Sequence, residues 1–309
     1  MFKRILVPLD GSPLAEKSLP YAEDMAAHLG SEIMLVNVAS PLERMYKPDY
    51  QAYKSRTAAD MEQRIKKSAH LPGGEKIKVV SSVINTEGIL MHPAEHIVNY
   101  AEKNNVSVII MATHGRTGIG RWALGSTATK VVRAAKCPVF LVRAGSSIPK
   151  VHLSKILVPL DGSPAGEASL PYIEYLAKKF GSTVSLLGVV ETIYEILPSS
   201  VQMNYYGGAG LIRVPYTEEQ MKPFVDATEK YLKAVKEKLQ TQGIEASYTT
   251  DVGNPGETII EAEKASGATM VAMSVRGHST AGAFDYGHVA DQVLHAGTLP
   301  ILMVKPEKK

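Results

Sequence analysis

The chain has 309 residues, of which 45% are apolar and 21% charged, with a net charge of +3. That balance belongs to ordinary globular proteins, and so small a positive excess, with no basic stripe interleaved with aromatics, argues against nucleic acid as a partner. One cysteine, Cys137, excludes an intrachain disulfide framework, and no apolar run approaches bilayer length, so the expectation is a cytoplasmic protein with no membrane partner.

Ile5-Leu6-Val7 is an unbroken apolar run ending at Pro8, the pattern of a strand buried on both faces of a parallel sheet. In the turn Asp10-Gly11-Ser12-Pro13, Ser12 suits an N-cap and Pro13 the first helical position. Apolar residues at Ala15, Leu19, Ala22, Met25, Ala26 and Leu29 repeat near 3.6 and predict one helix, which Gly30 should stop. A second strand is expected over 33–38, then a loop over 40–72 with a polar helix around 57–69. Strands follow at 76–84, 106–112 and 138–142, and helices at 93–103 and 126–135. Strands alternating with helices imply a doubly wound parallel α/β sheet.

The segment 145–149 reads as a linker, after which the pattern starts again. KILVPLDGSP at 155–164 repeats RILVPLDGSP at 4–13 with a single charge-preserving change. Leu170-Pro171-Tyr172 matches Leu19-Pro20-Tyr21 without a gap, and Leu299-Pro300-Ile301 faces Cys137-Pro138-Val139. A period this long means two whole domains of about 150 residues each, not a solenoid. The expected boundaries are 1–146 and 152–309. The second copy carries an extra segment near 191–224, rich in Tyr, Gly and Pro and without a clear period. A lid, a docking loop and surface padding all fit it.

Three features converge on the carboxyl ends of the strands, where open α/β sheets bind ligands at the point where strand order reverses. They are Asp10 (Asp161 in copy two), Val38 (Val189), and the loop after the fourth strand. That loop runs ATHGRTGIGRWALGST from Ala112. Small residues at Ala112, Gly115 and Gly125 favour close backbone approach, and Ser126-Thr127 open a helix whose free N–H groups suit phosphate.

On these residues the chain resembles the universal stress protein family, twice and over nearly its whole length. The ATP-binding branch of that family carries Gly, two residues, Gly, nine residues, Gly, then Ser or Thr. Here Ala112 stands at the first glycine, and Gly115, Gly125 and Ser126 fit the rest. The resemblance implies an adenine nucleotide alpha hydrolase-like fold. It also implies adenine and ribose beside Pro8, Leu9, Asp10 and Val38, phosphates on Ser126 and Thr127, and ATP as ligand with or without Mg2+. Asp10 would touch base or sugar, or help hold a metal. In copy two Gly277 and Gly287 keep the spacing beside Asp161 and Val189. There His288-Val289 replaces Ser-Thr and Asp285 adds negative charge, so weaker nucleotide binding is expected.

Plainer readings stand beside these. Asp10 and Asp161 also suit helix entry. His114 suits local hydrogen bonding, Trp122 a loop anchor, and the charges over 229–238 a solvated helix face. Cys137 suits a small buried hydrophobe better than a redox thiol. His92 and His96 lack metal-ligand spacing, and no metal site is expected. The GK[ST] phosphate loop, the GxSxG elbow and HxGH- or SGG-type adenylyl-transfer motifs are absent. The leading expectation is therefore an ATP-binding stress-response module that alters contacts with a protein partner, with at most slow hydrolysis. The alternatives are a scaffolding member that binds no nucleotide and an α/β enzyme acting on a small phosphorylated substrate. The resemblance further implies that 139–142 and 301–304 pair within one chain as a pseudo-dimer, with a homodimer also open.

Overall fold

The computed structural model describes residues 1–41, 50–67, 77–86, 92–114, 124–143, 153–199, 210–277 and 287–306. The first domain runs β1 (Arg4–Pro8), α1 (Pro13–Glu16), α2 (Leu19–Leu29), β2 (Glu32–Ala39), α3 (Tyr50–Lys67) and β3 (Val79–Asn85). It continues through α4 (Pro93–Lys103), β4 (Val108–Ala112), α5 (Ser126–Ala134) and β5 (Val139–Val142). The strands are parallel in the order β3-β2-β1-β4-β5, so strand order reverses between β1 and β4. Ile5, Val108 and Phe140 face α2 and α3 in one buried layer, whereas Leu6, Ile109 and Leu141 face α4 and α5 in the other. This two-sided burial is why these strands read as continuous apolar runs rather than alternating ones.

The second domain repeats the plan with β6 (Lys155–Pro159), a 3₁₀ turn at Gly166–Ser169, α6 (Leu170–Phe180) and β7 (Thr183–Glu191). An antiparallel ribbon of β8 (Tyr194–Ser199) and β9 (Gly210–Pro215) follows. Then come α7 (Glu218–Thr241), β10 (Ala246–Gly253), α8 (Pro255–Ala265), β11 (Met270–Ser274), α9 (His288–Ala296) and β12 (Ile301–Val304). Its order, β10-β7-β6-β11-β12, mirrors the first.

The two halves fuse through their last strands. β12 pairs antiparallel with β5, setting Ile301 opposite Leu141 and Leu302 opposite Phe140, so one sheet of ten strands crosses the molecule. The expected intrachain pair is present. Each terminal strand loses its exposed edge, which removes a site for unwanted pairing. Phe2 packs against Tyr172 and Tyr175 with ring centroids 5.7 and 5.9 Å apart, and His28 of α2 stacks on Phe180 of α6 at 4.2 Å.

Several local expectations need correction. The single helix expected from Ser12 to Gly30 is broken into α1 and α2. Pro20 lacks the N–H that would bond the carbonyl of Glu16, and its ring crowds that carbonyl. Ser18 Oγ instead donates to the Ala15 carbonyl at 2.6 Å. Pro171 forces the same break in copy two. The Ser12 cap does form, accepting from Ala15 N at 3.2 Å, and Gly30 ends α2 at φ 66°. The polar helix starts earlier than expected, at Tyr50. The segment read as aperiodic contains the β8–β9 ribbon and the start of α7, whose capping box joins Thr217 and Gln220. The linker 145–149, Trp122 and most of the Tyr/Gly run 205–210 lie outside the described residues. Among the described residues no helix is long and apolar enough to cross a membrane.

Candidate functional site: paired clefts at the strand switch points

Each half opens a cleft where its strand order reverses. Cleft one has a volume of about 340 Å³. Pro8, Leu9 and Asp10 form one wall, Val36 and Val38 the end of β2, and Ile97 and Met111 an apolar floor. Ala112, Gly125, Ser126 and Thr127 close the far side. Every candidate residue of copy one within the described residues therefore lines one space; Gly115 lies outside them. Cleft two, about 220 Å³, collects Asp161, Val189, Gly277 and Gly287 in the matching places.

Helix α5 presents its amino end to cleft one. Gly125 is its N-cap and supplies no side-chain hydrogen bond, so the first-turn amides receive none from that residue. No acidic residue occupies that first turn, so the partial positive charge of the helix end is uncompensated there. Gly125 N donates to the Thr113 carbonyl at 2.9 Å, and a Cβ at Gly125 would meet that carbonyl at 2.8 Å. Glycine is needed here to bring the two ends of the loop together, a local reason beyond the ligand approach expected from the sequence.

Asp10 does make the helix-entry contact: its Oδ1 accepts from Ser12 N at 2.9 Å. The equivalent bond to Asp161 Oδ1 is 3.0 Å, and Ser163 Oγ adds a second at 2.7 Å. His114 lines cleft one with Nδ1 3.0 Å from Thr113 Oγ1, the local contact expected of it, while its buried Nε2 has no partner among the described residues. Cys137 is half-buried, and burial pushes its thiol up to about 11.

Two kinds of contact were missed in the sequence. Tyr231 of α7 donates to Glu167 Oε1 at 2.9 Å, and Tyr53 of α3 donates to Glu16. Burial first, and then the neighbouring carboxylate, raises both phenols, so each stays a neutral donor. The pair ties the turn carrying the cleft aspartate to the long helix in both copies. The signal was available, since Glu16 and Glu167 sit at equal distance from the repeated DGSP. Asn37 is the other: buried on β2, it donates from Nδ2 to the Leu9 carbonyl at 2.8 Å and pins the loop after β1. Copy two has Gly188 there, where a Cβ would strike Thr228 of α7 at 2.5 Å.

The universal stress protein family model matches residues 1–143 and again 152–305. The chain belongs to the universal stress protein family. A universal stress protein of Thermus aquaticus is 32% identical over 149 residues, covering 46% of this chain and 100% of its own length. One from Methanocaldococcus jannaschii is 29% identical over 150 residues, covering 46% of this chain and 83% of its own. Each such relative spans about one copy of this tandem universal stress protein. At full length, a universal stress protein from Archaeoglobus fulgidus superposes over 99% of both chains with a TM-score of 0.65 at 20% identity, a likeness of fold alone.

Proposed function

We propose that cleft one binds ATP or a related adenine nucleotide, and that this universal stress protein works as a nucleotide-responsive binding module rather than as a dedicated catalyst. The observation that carries the reading is the amino end of α5, whose glycine cap leaves it without a side-chain cap beside Ser126 and Thr127. A helix end of this kind favours an anionic group through its amides and its dipole. The apolar floor of Val36, Val38, Ile97 and Met111 suits the face of a flat base, and Asp10 offers acceptor oxygens toward a base or ribose donor. A Mg2+ companion would take oxygen ligands from the phosphates and Asp10.

The reading that no catalysis is built in rests on the same inventory. Among the described residues around the helix end the lining offers hydroxyls and amides, and the one basic-type side chain is His114, bonded to its neighbour. Phosphoryl transfer relies on cations that neutralise developing charge, so slow hydrolysis is the most these described residues support. The test is titration of the full chain with ATP, comparing wild type with Ser126→Asp. Aspartate at that position favours the helix dipole while repelling phosphate, so affinity should fall by about tenfold or more with the fold intact. Equal affinity in the two proteins would favour a scaffolding role.

A further inference from the structure

A short chain of hydrogen bonds joins the two clefts across the domain seam. Thr113 lines cleft one; its carbonyl accepts from Gly125 N at 2.9 Å, and its own N donates to the Val142 carbonyl at 2.9 Å. The next residue is the buried Arg143. Its Nη2 donates to the Val293 carbonyl at 2.8 Å, its Nη1 to that of Leu294, and its Nε to that of Leu299 at 3.2 Å. Val293 and Leu294 belong to α9, a helix of nine residues that opens with His288, Val289 and Ala290 in the lining of cleft two. One arginine and one helix therefore separate the wall of cleft one from the wall of cleft two.

That arginine has a second acceptor close by. Glu263 of α8, also buried, uses its Oε2 to accept from Thr298 N at 2.5 Å, Thr298 Oγ1 at 3.0 Å and Leu299 N at 3.1 Å. Its Oε1 is buried with no partner among the described residues. A Cβ at Gly297 would lie 2.6 Å from that Oε1 and 2.9 Å from Arg143 Nη2, so the two groups flank one backbone point without bonding. A guanidinium carries five N–H donors, and a buried acceptor left unpaired costs free energy. Turning Nη2 from the Val293 carbonyl to Glu263 Oε1 gives up a bond to a neutral carbonyl and gains one between opposite charges. Two arrangements thus compete for the same guanidinium. In copy one Ala101 stands at the matching place on α4, and Lys305 meets the Arg133 carbonyl in an exposed setting.

We infer that Arg143 is a positioning residue for cleft two and relays the occupancy of cleft one to it. The inference rests on the reading of cleft one as a nucleotide site. An anionic group at the amino end of α5 draws on the Gly125–Thr113 contact, and Thr113 is bonded to the residue just before Arg143. A shift there moves the guanidinium between the α9 carbonyls and Glu263. Once released, α9 loses the cation at its carboxyl end and resets its amino end in cleft two. A ligand moves such an equilibrium only through its preference for one arrangement. Close packing at Gly297 makes the change a switch between two positions rather than a gradual drift.

Methionine placement supplies the test, since Met111 lies in cleft one and Met273 in cleft two. The full chain, labelled with ¹³C at the methionine methyls and assigned through Met111→Leu and Met273→Leu, is titrated with ATP. Both methyls should move with one shared midpoint. In Ser126→Asp the two midpoints should rise together by about tenfold or more. In Arg143→Lys, and separately in Glu263→Gln, Met111 should still titrate while the Met273 shift falls by about half or more. Glu263→Gln keeps an acceptor for Thr298 and Leu299, so it tests the relay without removing those bonds. Three results would each overturn the relay and leave the cleft-one reading standing: a still Met273 while Met111 moves, a Met273 midpoint that Ser126→Asp leaves in place, or a Met273 shift undiminished in either variant. A Met111 methyl that ignores ATP removes the cleft-one reading and the relay with it.

Discussion

Arg143, one residue past β5 in the first domain, donates from Nη2 to the carbonyl of Val293 in the second at 2.8 Å. Its Nη1 donates to the Leu294 carbonyl and its Nε to that of Leu299 at 3.2 Å, so one buried guanidinium caps the carboxyl end of α9. Burial lowers its pKa, and the nearby buried Glu263 opposes that shift. Lys305 makes the reciprocal contact, donating from Nζ to the Arg133 carbonyl at the end of α5 at 2.9 Å, but in an exposed setting. Each domain thus places a cation on the helix whose amino end opens the other domain's cleft, where it also favours the helix dipole.

The contrast in burial sets the first prediction. Arg143→Met should cost about 2–4 kcal/mol, because three carbonyls lose their donor in a buried place and Glu263 loses a nearby positive charge. Lys305→Met should cost at most about 0.5 kcal/mol, as exposed contacts do. Denaturant unfolding of both variants checks the ranking, and equal losses would remove the latch.

The domain seam gives the second. Phe140 and Met303 are 0% and 1% exposed on the two strands that join the halves. Phe140→Asp or Met303→Asp would bury an unpaired charge at the seam and should cost more than about 3 kcal/mol while loosening the domain pair. X-ray scattering should show a larger maximum dimension. Wild-type dimensions together with wild-type stability would contradict the pairing of β5 with β12.

Tyr21 gives a pH dependence. Its hydroxyl is buried without a partner among the described residues, its ring packs on Phe140 at 5.6 Å, and burial pushes its phenol from 10.0 up to about 12. The folded state holds the proton more tightly than the unfolded chain, so the contribution is intact below pH 10.0. It is lost as pH rises from there toward about 12, where the unfolded phenol ionises first. Stability measured across that window should decline less steeply in Tyr21→Phe than in wild type; identical slopes would show that Tyr21 does not contribute.

Much of this was legible in the sequence because the signals were local and doubled. ILVPLDGSP, printed twice, gave the two domains and the shared cleft wall, and the fully apolar strands announced a sheet covered on both faces. The broken helix was legible too, in Pro20 and Pro171, but the 3.6-residue spacing ran across both prolines and masked the break. The β8–β9 ribbon was not legible, because its register depends on pairs such as Ile196 with Arg213 across a long connection. Nor was Arg143, whose partners lie about 150 residues away in sequence. The two cleft glycines were legible as close approaches but not as to what approaches them: the Thr113 carbonyl at Gly125, and the Asp161 carboxylate at Gly277.

The most direct measurement is an ATP titration of the full chain that follows the Met111 methyl, in wild type and in Ser126→Asp. Saturable movement of Met111 that weakens by about tenfold or more in Ser126→Asp is the predicted result. A Met111 methyl that does not respond to ATP, or responds equally in both proteins, would contradict nucleotide binding at the amino end of α5.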